Sequence, residues 1–124
     1  MSTQGRAFRT DGYYIVDDSR RGAADTKAGV DFAGGDMRVD YLGGKDRLFF
    51  KFDALAEDRA NGTELQRNST SLGTISTQYF RDFGDDNLSV TAWHSRQEFR
   101  ASFSAILAGR NSERLTMRQQ VPSE

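Results

Sequence analysis

RLFFKFDALAEDRANGTELQRNSTSLGTISTQYFRDFGDDNLSVTAWH, running from Arg47 to His94, decides the fold. Within and just beyond it lie three runs of about eleven residues, Arg47 to Glu57, Leu72 to Asp82 and Asn87 to Gln97. In the first, Leu48, Phe50, Phe52, Ala54 and Ala56 alternate with Phe49, Lys51, Asp53, Leu55 and Glu57. A period of two marks a strand with one greasy and one wet face. Slipping the register by one residue would move Lys51 and Asp53 onto the apolar side, so the register is strongly specified. The second run sets Ile75, Thr77 and Tyr79 against Thr74, Ser76 and Gln78, with Arg81 awkward on the apolar side. The third sets Leu88, Val90 and Ala92 against Ser89, Thr91 and Ser95, and Trp93 breaks the division as a rim aromatic or a lumen plug. Each run has the ~9–11 residues that carry a tilted strand across a bilayer.

The connections are unequal. Glu57 to Ser71, EDRANGTELQRNSTS, reads as a fifteen-residue polar loop, a length more often functional than merely connecting. Gly84-Asp85-Asp86 reads as a tight turn.

Upstream, Met1 to Arg9 carries no period and is expected to be frayed or a strand remnant, Asp11 to Asp17 holds a short strand, and Asp18 to Thr26 is a loop. From Ala28 to Leu42 alternation on both sides of Gly34-Gly35 predicts a hairpin, followed by a turn at Gly43 to Asp46. Downstream, Phe99, Phe103, Ile106 and Leu107 recur at spacings of three and four, so an amphipathic helical turn competes with irregular loop. Leu115 to Val121 is expected to start another strand, ended by Pro122.

Composition agrees with strands. Twelve Gly, nine Phe and four Tyr against a single Pro favour strand and turn over helix. At 124 residues the chain is long enough for one domain. A net charge of −1 offers no basic excess for a phosphate backbone, so nucleic acid is not an expected partner. The lack of Cys excludes disulfides and thiolate metal sites. No apolar run reaches eighteen residues, which excludes a transmembrane helix and says nothing of a transmembrane β-barrel. MSTQGRAFRT has no apolar core of a signal peptide, so no secretory signal is expected.

No catalytic or metal motif stands out, and neither an enzyme nor a cofactor is expected. His94 is the only histidine, reads as a strand-end rim residue, and has no nucleophile elbow to serve. Asp82, Asp85, Asp86 and Asn87 match no calcium-loop spacing. Gly43-Gly44-Lys45 lacks the upstream Gly and the Ser or Thr of a phosphate loop. Asp53 and Glu57 could pair in glycoside hydrolysis only at a separation that sequence does not give. Asn61-Gly62-Thr63 and Asn68-Ser69-Thr70 fit glycosylation sequons but read as polar turn chemistry.

Laid out in order, the connections put the long loops Glu57 to Ser71 and Glu98 to Arg114 at one end with Gly34-Gly35, and the turns at Gly43 and Gly84 at the other. The expectation is an all-β, antiparallel up-and-down meander of about six or seven strands, a segment of a transmembrane β-barrel occupying residues 1–124. Short turns at one end and longer loops at the other are the layout of outer-membrane barrels.

The stretch from about Leu48 to Glu124 resembles part of the barrel of a TonB-dependent outer-membrane receptor of the acidobacterial type. The likeness is carried by FFKFDALAEDRANGTELQRNSTSL (Phe49 to Leu72), YFRDFGDDNLSVTAWHSRQEF (Tyr79 to Phe99) and FSAILAGRNSERLTMRQQVPSE (Phe103 to Glu124). The resemblance implies a fragment of a plugged transporter barrel in the cell outer membrane, without plug domain, signal peptide or closing strand. Such a receptor takes up a scarce nutrient, a metal chelate, cobalamin or glycan, and is energised by a TonB-type partner through regions lacking here. Its lipid contact would be the apolar face. Lys51, Asp53, Thr74, Ser76, Gln78, Ser89 and Thr91 would face the lumen, and Arg59, Asn61, Arg67, Asn68, Arg100, Arg110 and Asn111 would contact ligand from the long loops. The rival is a soluble β-sheet ligand-binding module, whose half-buried strands alternate identically. It would gather Leu48, Phe50, Phe52, Ile75, Tyr79, Leu88 and Val90 around a dry interior, where the receptor reading turns them outward to lipid.

Overall fold

The computed structural model describes residues 1–121. Six antiparallel strands follow one another in space as they do in sequence: β1 (Ser2–Tyr14), β2 (Asp25–Gly43), β3 (Asp46–Thr63), β4 (Arg67–Asp82), β5 (Asn87–Ile106) and β6 (Glu113–Val121). The sheet is an all-β up-and-down meander, as expected, with β1 and β6 as its open edges. No described large side chain is fully buried, so the sheet has no core of its own.

The strands are longer than their apolar pattern. Residues 28–42 do not form a hairpin: β2 runs straight through Gly34-Gly35, with Gly34 opposite Leu55 and Gly35 opposite Gly5. Neither glycine has positive φ. Their use is close approach, since a Cβ on Gly34 would stand 3.1 Å from the Phe32 ring and one on Gly35 3.0 Å from the Gln4 carbonyl oxygen. Of the two alternatives for Met1 to Arg9 the strand holds and fraying does not, because Ser2 to Thr10 pairs residue for residue with β2. A bulge at Thr10/Tyr13 follows, with Gly12 at φ +68°, and the strand ends at Tyr14 rather than Asp17. Asp17 instead caps a 3-10 turn, Asp18–Arg20.

The fifteen-residue polar loop is also replaced by strand. β3 continues to Thr63, a three-residue connection follows, and β4 begins at Arg67, with Glu57 opposite Thr70 and Arg59 opposite Asn68. Backbone pairing holds these residues although both faces are polar, so no alternation announces it. In the same way β5 extends to Ile106, where a helix or loop was the alternative, and a short 3-10 turn at Ala108–Arg110 leads into β6. The strand at Leu115 to Val121 is present, starting two residues earlier; its expected end at Pro122 lies outside the described residues.

The turns at Gly44-Lys45 and Phe83–Asp86 sit at one end of the sheet, and the connections 15–24, 64–66 and 107–112 at the other. The tight turns therefore share an end, as expected. At the opposite end only the two outer connections are long.

Candidate functional site

Register sorts the side chains into two faces. On the first, Tyr41-Leu48-Tyr79-Val90, Val39-Phe50-Thr77-Ala92 and Met37-Phe52-Ile75 form successive cross-strand rows nearest the tight turns. Gly35-Ala54-Gly73 and Ala33-Ala56-Ser71 continue the face with small residues. All seven members of the expected apolar set lie here. Five of them are exposed, Leu48 at 42%, Phe52 39%, Ile75 43%, Leu88 43% and Val90 49%, and Phe50 and Tyr79 are half-buried. Arg81 sits at the turn end of the face, 3.6 Å from Asp46, which also accepts the Tyr79 hydroxyl at 2.6 Å. β5 departs from the band beyond Ala92, placing His94, Arg96 and Glu98 on this face. His94 is thus a mid-strand residue opposite Ile75, not the strand-end residue the sequence suggested.

The second face carries the expected lumen set, Lys51, Asp53, Thr74, Ser76, Gln78, Ser89 and Thr91, in neighbouring rows. Arg38 opposes Lys51 and Asp36 opposes Asp53, like charges directly across the ladder. Each cation is relieved by an acid two residues on: Arg38 by Asp40 at 2.8 Å and Lys51 by Asp53 at 2.7 Å. The Arg38 guanidinium also lies 4.8 Å from the centre of the Phe49 ring, and Thr74 and Ser95 hydroxyls pair at 3.1 Å. Trp93 projects from this face opposite Ser76 and is 75% exposed.

The expected ligand contacts are mostly strand residues, and the structure divides them. Arg59, Asn61 and Asn68 lie on the second face, where Arg59 pairs with Glu57 at 2.7 Å and the Asn61 amide donates to Asn68 at 2.7 Å. Arg67 and Arg100 lie on the first. Arg110 and Asn111 alone occupy a loop, and both are spent on structure. Arg110 grips Asp25 with Nε and Nη2, its carbonyl accepts the Ala24 amide at 2.9 Å, and the Asn111 side chain accepts the Ala23 amide at 3.3 Å. This clasp joins the β1–β2 and β5–β6 connections beside the β3–β4 turn. The Asp25 side chain is almost wholly buried; the Arg110 hydrogen bonds, helped by the Gly22 amide, bring its carboxyl down to about 2.

Glu113 fastens the β3–β4 turn from the other side, accepting the Leu65 amide at 2.7 Å and the Ser104 hydroxyl at 2.6 Å. Burial acts to raise its carboxyl, but hydrogen bonds from Ser104, Thr63 and the Leu65 amide outweigh burial and lower it. Neither Asp25 nor Glu113 was visible as a site residue in sequence, because each works through a partner at least nine residues away.

One recess of about 780 Å³ draws residues from every strand. β3 to β6 each contribute two first-face residues and the residue between them, and β2 contributes Lys27, Gly29 and Asp31, so the recess opens on the face of the apolar band, at its far end. Its floor is small, with Gly29, Ala60, Ser69 and Ser102. Its walls are long and charged, with Arg9, Lys27, Arg67, Arg100 and Arg118 against Asp11, Asp31 and Asp58. Arg9, Lys27 and Arg118 were missed in sequence because register alone brings them to Arg67 and Arg100. Among the described residues no cluster of three or more His, Cys, Asp or Glu side chains could hold a metal ion.

Fold and faces together define an open antiparallel meander with an exposed apolar band on one face of β2 to β5; the other face carries the polar rows together with the exposed Phe8, Leu42, Trp93, Phe103 and Met117. No family model, curated protein or solved structure matches the chain.

Proposed function

We propose that the chain is a segment of the wall of a TonB-dependent outer-membrane receptor, with its apolar face against lipid and its polar ladder toward the lumen. The observation that carries the reading is the exposed band on β2 to β5. Five large apolar side chains are each about two-fifths or more exposed, on a sheet with no buried core. In water such a surface is an association liability; in a bilayer it is the surface that meets hydrocarbon. The aromatic row at the turn end, Tyr41 and Tyr79 beside Leu48, stands where barrels carry an interfacial girdle. The soluble binding module requires the same residues to meet a dry interior, and their exposure weighs against it.

The nutrient class follows from the family likeness alone: a metal chelate, cobalamin or glycan, drawn inward with energy from a TonB-type partner. Lys51, Asp53, Thr74, Ser76, Gln78, Ser89 and Thr91 then line the passage.

Trp93 and a tryptophan placed at Phe50 in a Trp93→Phe background test the facing. In phosphatidylcholine vesicles with tail-brominated lipid, F50W is expected to be quenched and native Trp93 spared. Equal quenching of both, or quenching of Trp93 alone, would refute the assignment of the faces.

A further inference from the structure

We propose that a cup on the second face, built around Gly34, binds a free α-amino acid with a short apolar side chain. The inference uses the second face alone and does not depend on what covers the first.

The cup follows from register. Gly34 stands between Arg6 on β1 and Leu55 on β3, and the next row toward the tight turns sets Gln4, Asp36 and Asp53 side by side. In the row behind, Phe32 leans onto the glycine, its ring 3.1 Å from where a Cβ would stand. The missing side chain leaves a hollow of about 220 Å³, room for roughly seven waters at ~30 Å³ each. Phe32, Asp36, Asp53 and Leu55 are half-buried, while the first-face residues between them, Ala33, Gly35 and Ala54, are exposed. The hollow therefore lies on the more sheltered side of β2 and β3.

Charge selects the ligand. Asp36 and Asp53 face each other across β2 and β3, a like-charge pair that is unfavourable by itself. Lys51 takes Asp53 at 2.7 Å, and Asp36 has no hydrogen bond or ion pair among the described residues. On the other side of the hollow Arg6 also makes no ion pair among the described residues; its guanidinium lies 5.7 Å from the centre of the Phe32 ring. Arg6 and Asp36 are diagonal neighbours on the ladder, ~7–8 Å apart, and do not meet. The cup thus holds the unmade half of an ion pair on each side.

An α-amino acid completes both. Its ammonium and carboxylate lie roughly 3 Å apart by ordinary bond lengths, and a charge-assisted hydrogen bond of ~2.7–2.9 Å at each end brings the span to about 8–9 Å. The ammonium enters between Asp36 and Asp53 and relieves their repulsion, and the carboxylate takes the Arg6 fork. The side chain falls against Phe32 and Leu55, the apolar walls. A lone cation would leave Arg6 unmatched, a lone anion would meet two carboxylates, and a peptide spreads its terminal charges too far apart.

The test uses the whole chain in uncharged maltoside micelles. It is titrated with L-leucine, with leucinamide, which lacks the carboxylate, and with N-acetyl-leucine, which lacks the ammonium, while backbone amide shifts are followed. Leucine is expected to shift the amides of Arg6, Gly34 and Asp36 and to bind roughly 10- to 150-fold more tightly than either analogue, the usual worth of one charged hydrogen bond. Arg6→Gln should cost leucine that factor and leucinamide nothing. Asp36→Asn should cost leucine that factor without weakening N-acetyl-leucine. A variant that failed to fold would lose all three ligands together, so the crossed pattern separates recognition from structure. Arg38→Gln, on the same face outside the cup, should leave all three unchanged.

Either analogue binding as tightly as leucine would overturn the proposal, as would silence at Arg6, Gly34 and Asp36 with leucine at millimolar concentration. Quenching at Phe50→Trp reads the first face against lipid and is independent of each of these outcomes.

Discussion

Placing a charge at two depths of the band distinguishes a lipid-facing surface from any surface in water. On β3 the band runs from Leu48 to Ala56, eight residue steps. At ~3.3 Å per residue it is roughly 26 Å along the strand, and a tilt of ~40° leaves about 20 Å of height. Phe52 is the midpoint and Leu48 the rim. An arginine at the bilayer midplane costs ~2–4 kcal/mol and one near the interface ~0–1. Phe52→Arg should therefore destabilise the inserted sheet by about 2–3 kcal/mol more than Leu48→Arg, roughly 30- to 160-fold in the folding constant. The two native side chains are 39% and 42% exposed, so the lost packing is nearly matched and the difference reports depth. Ser76→Arg on the second face should change stability by no more than about 0.5 kcal/mol. The assay is reversible denaturant unfolding from phosphatidylcholine vesicles. Equal costs for Phe52→Arg and Leu48→Arg would refute the lipid-facing argument.

Further outcomes follow from the ends of the sheet. The folded Asp25 carboxyl lies near 2, below its ordinary 3.8, so the stability it adds is present above about pH 4 and disappears as pH falls toward 2. Exchange of the Ala24 amide should quicken across that window, and in Asp25→Asn it should be fast and lack the step; an unchanged pH profile in the variant would sink the clasp. At the β1 bulge, a Cβ on Gly12 would stand 1.5 Å from the Ala28 carbonyl oxygen at φ +68°. Gly12→Ala should strip hydrogen-exchange protection from Phe8 to Thr10 while β3 and β4 keep theirs. Gly44, at φ +57° with open space around it, should accept asparagine within about 0.5 kcal/mol in denaturant unfolding.

Alternation was legible wherever the two faces differ in polarity. Arg47 to Glu57 and Asn87 to Gln97 read correctly as strands, and Leu48, Phe50, Phe52, Ile75, Tyr79, Leu88 and Val90 share the face assigned to them. The reading failed where both faces are polar. Glu57 to Thr63 and Arg67 to Ser71 looked like loop because cross-strand hydrogen bonds leave no mark on composition. Gly34-Gly35 misled in the opposite sense, since the missing side chains that permit a turn also permit close strand packing.

The sequence by itself determined that this chain is β, which residues share a face and where the tight turns lie, because a side-chain period of two is a local property of the strand. Only the tertiary structure decided which residues meet across strands. The clasp of Asp25 with Arg110 spans 85 residues, and the recess collects three or four residues from each of six strands. Both depend on hydrogen-bond register, which is set between strands and not along them.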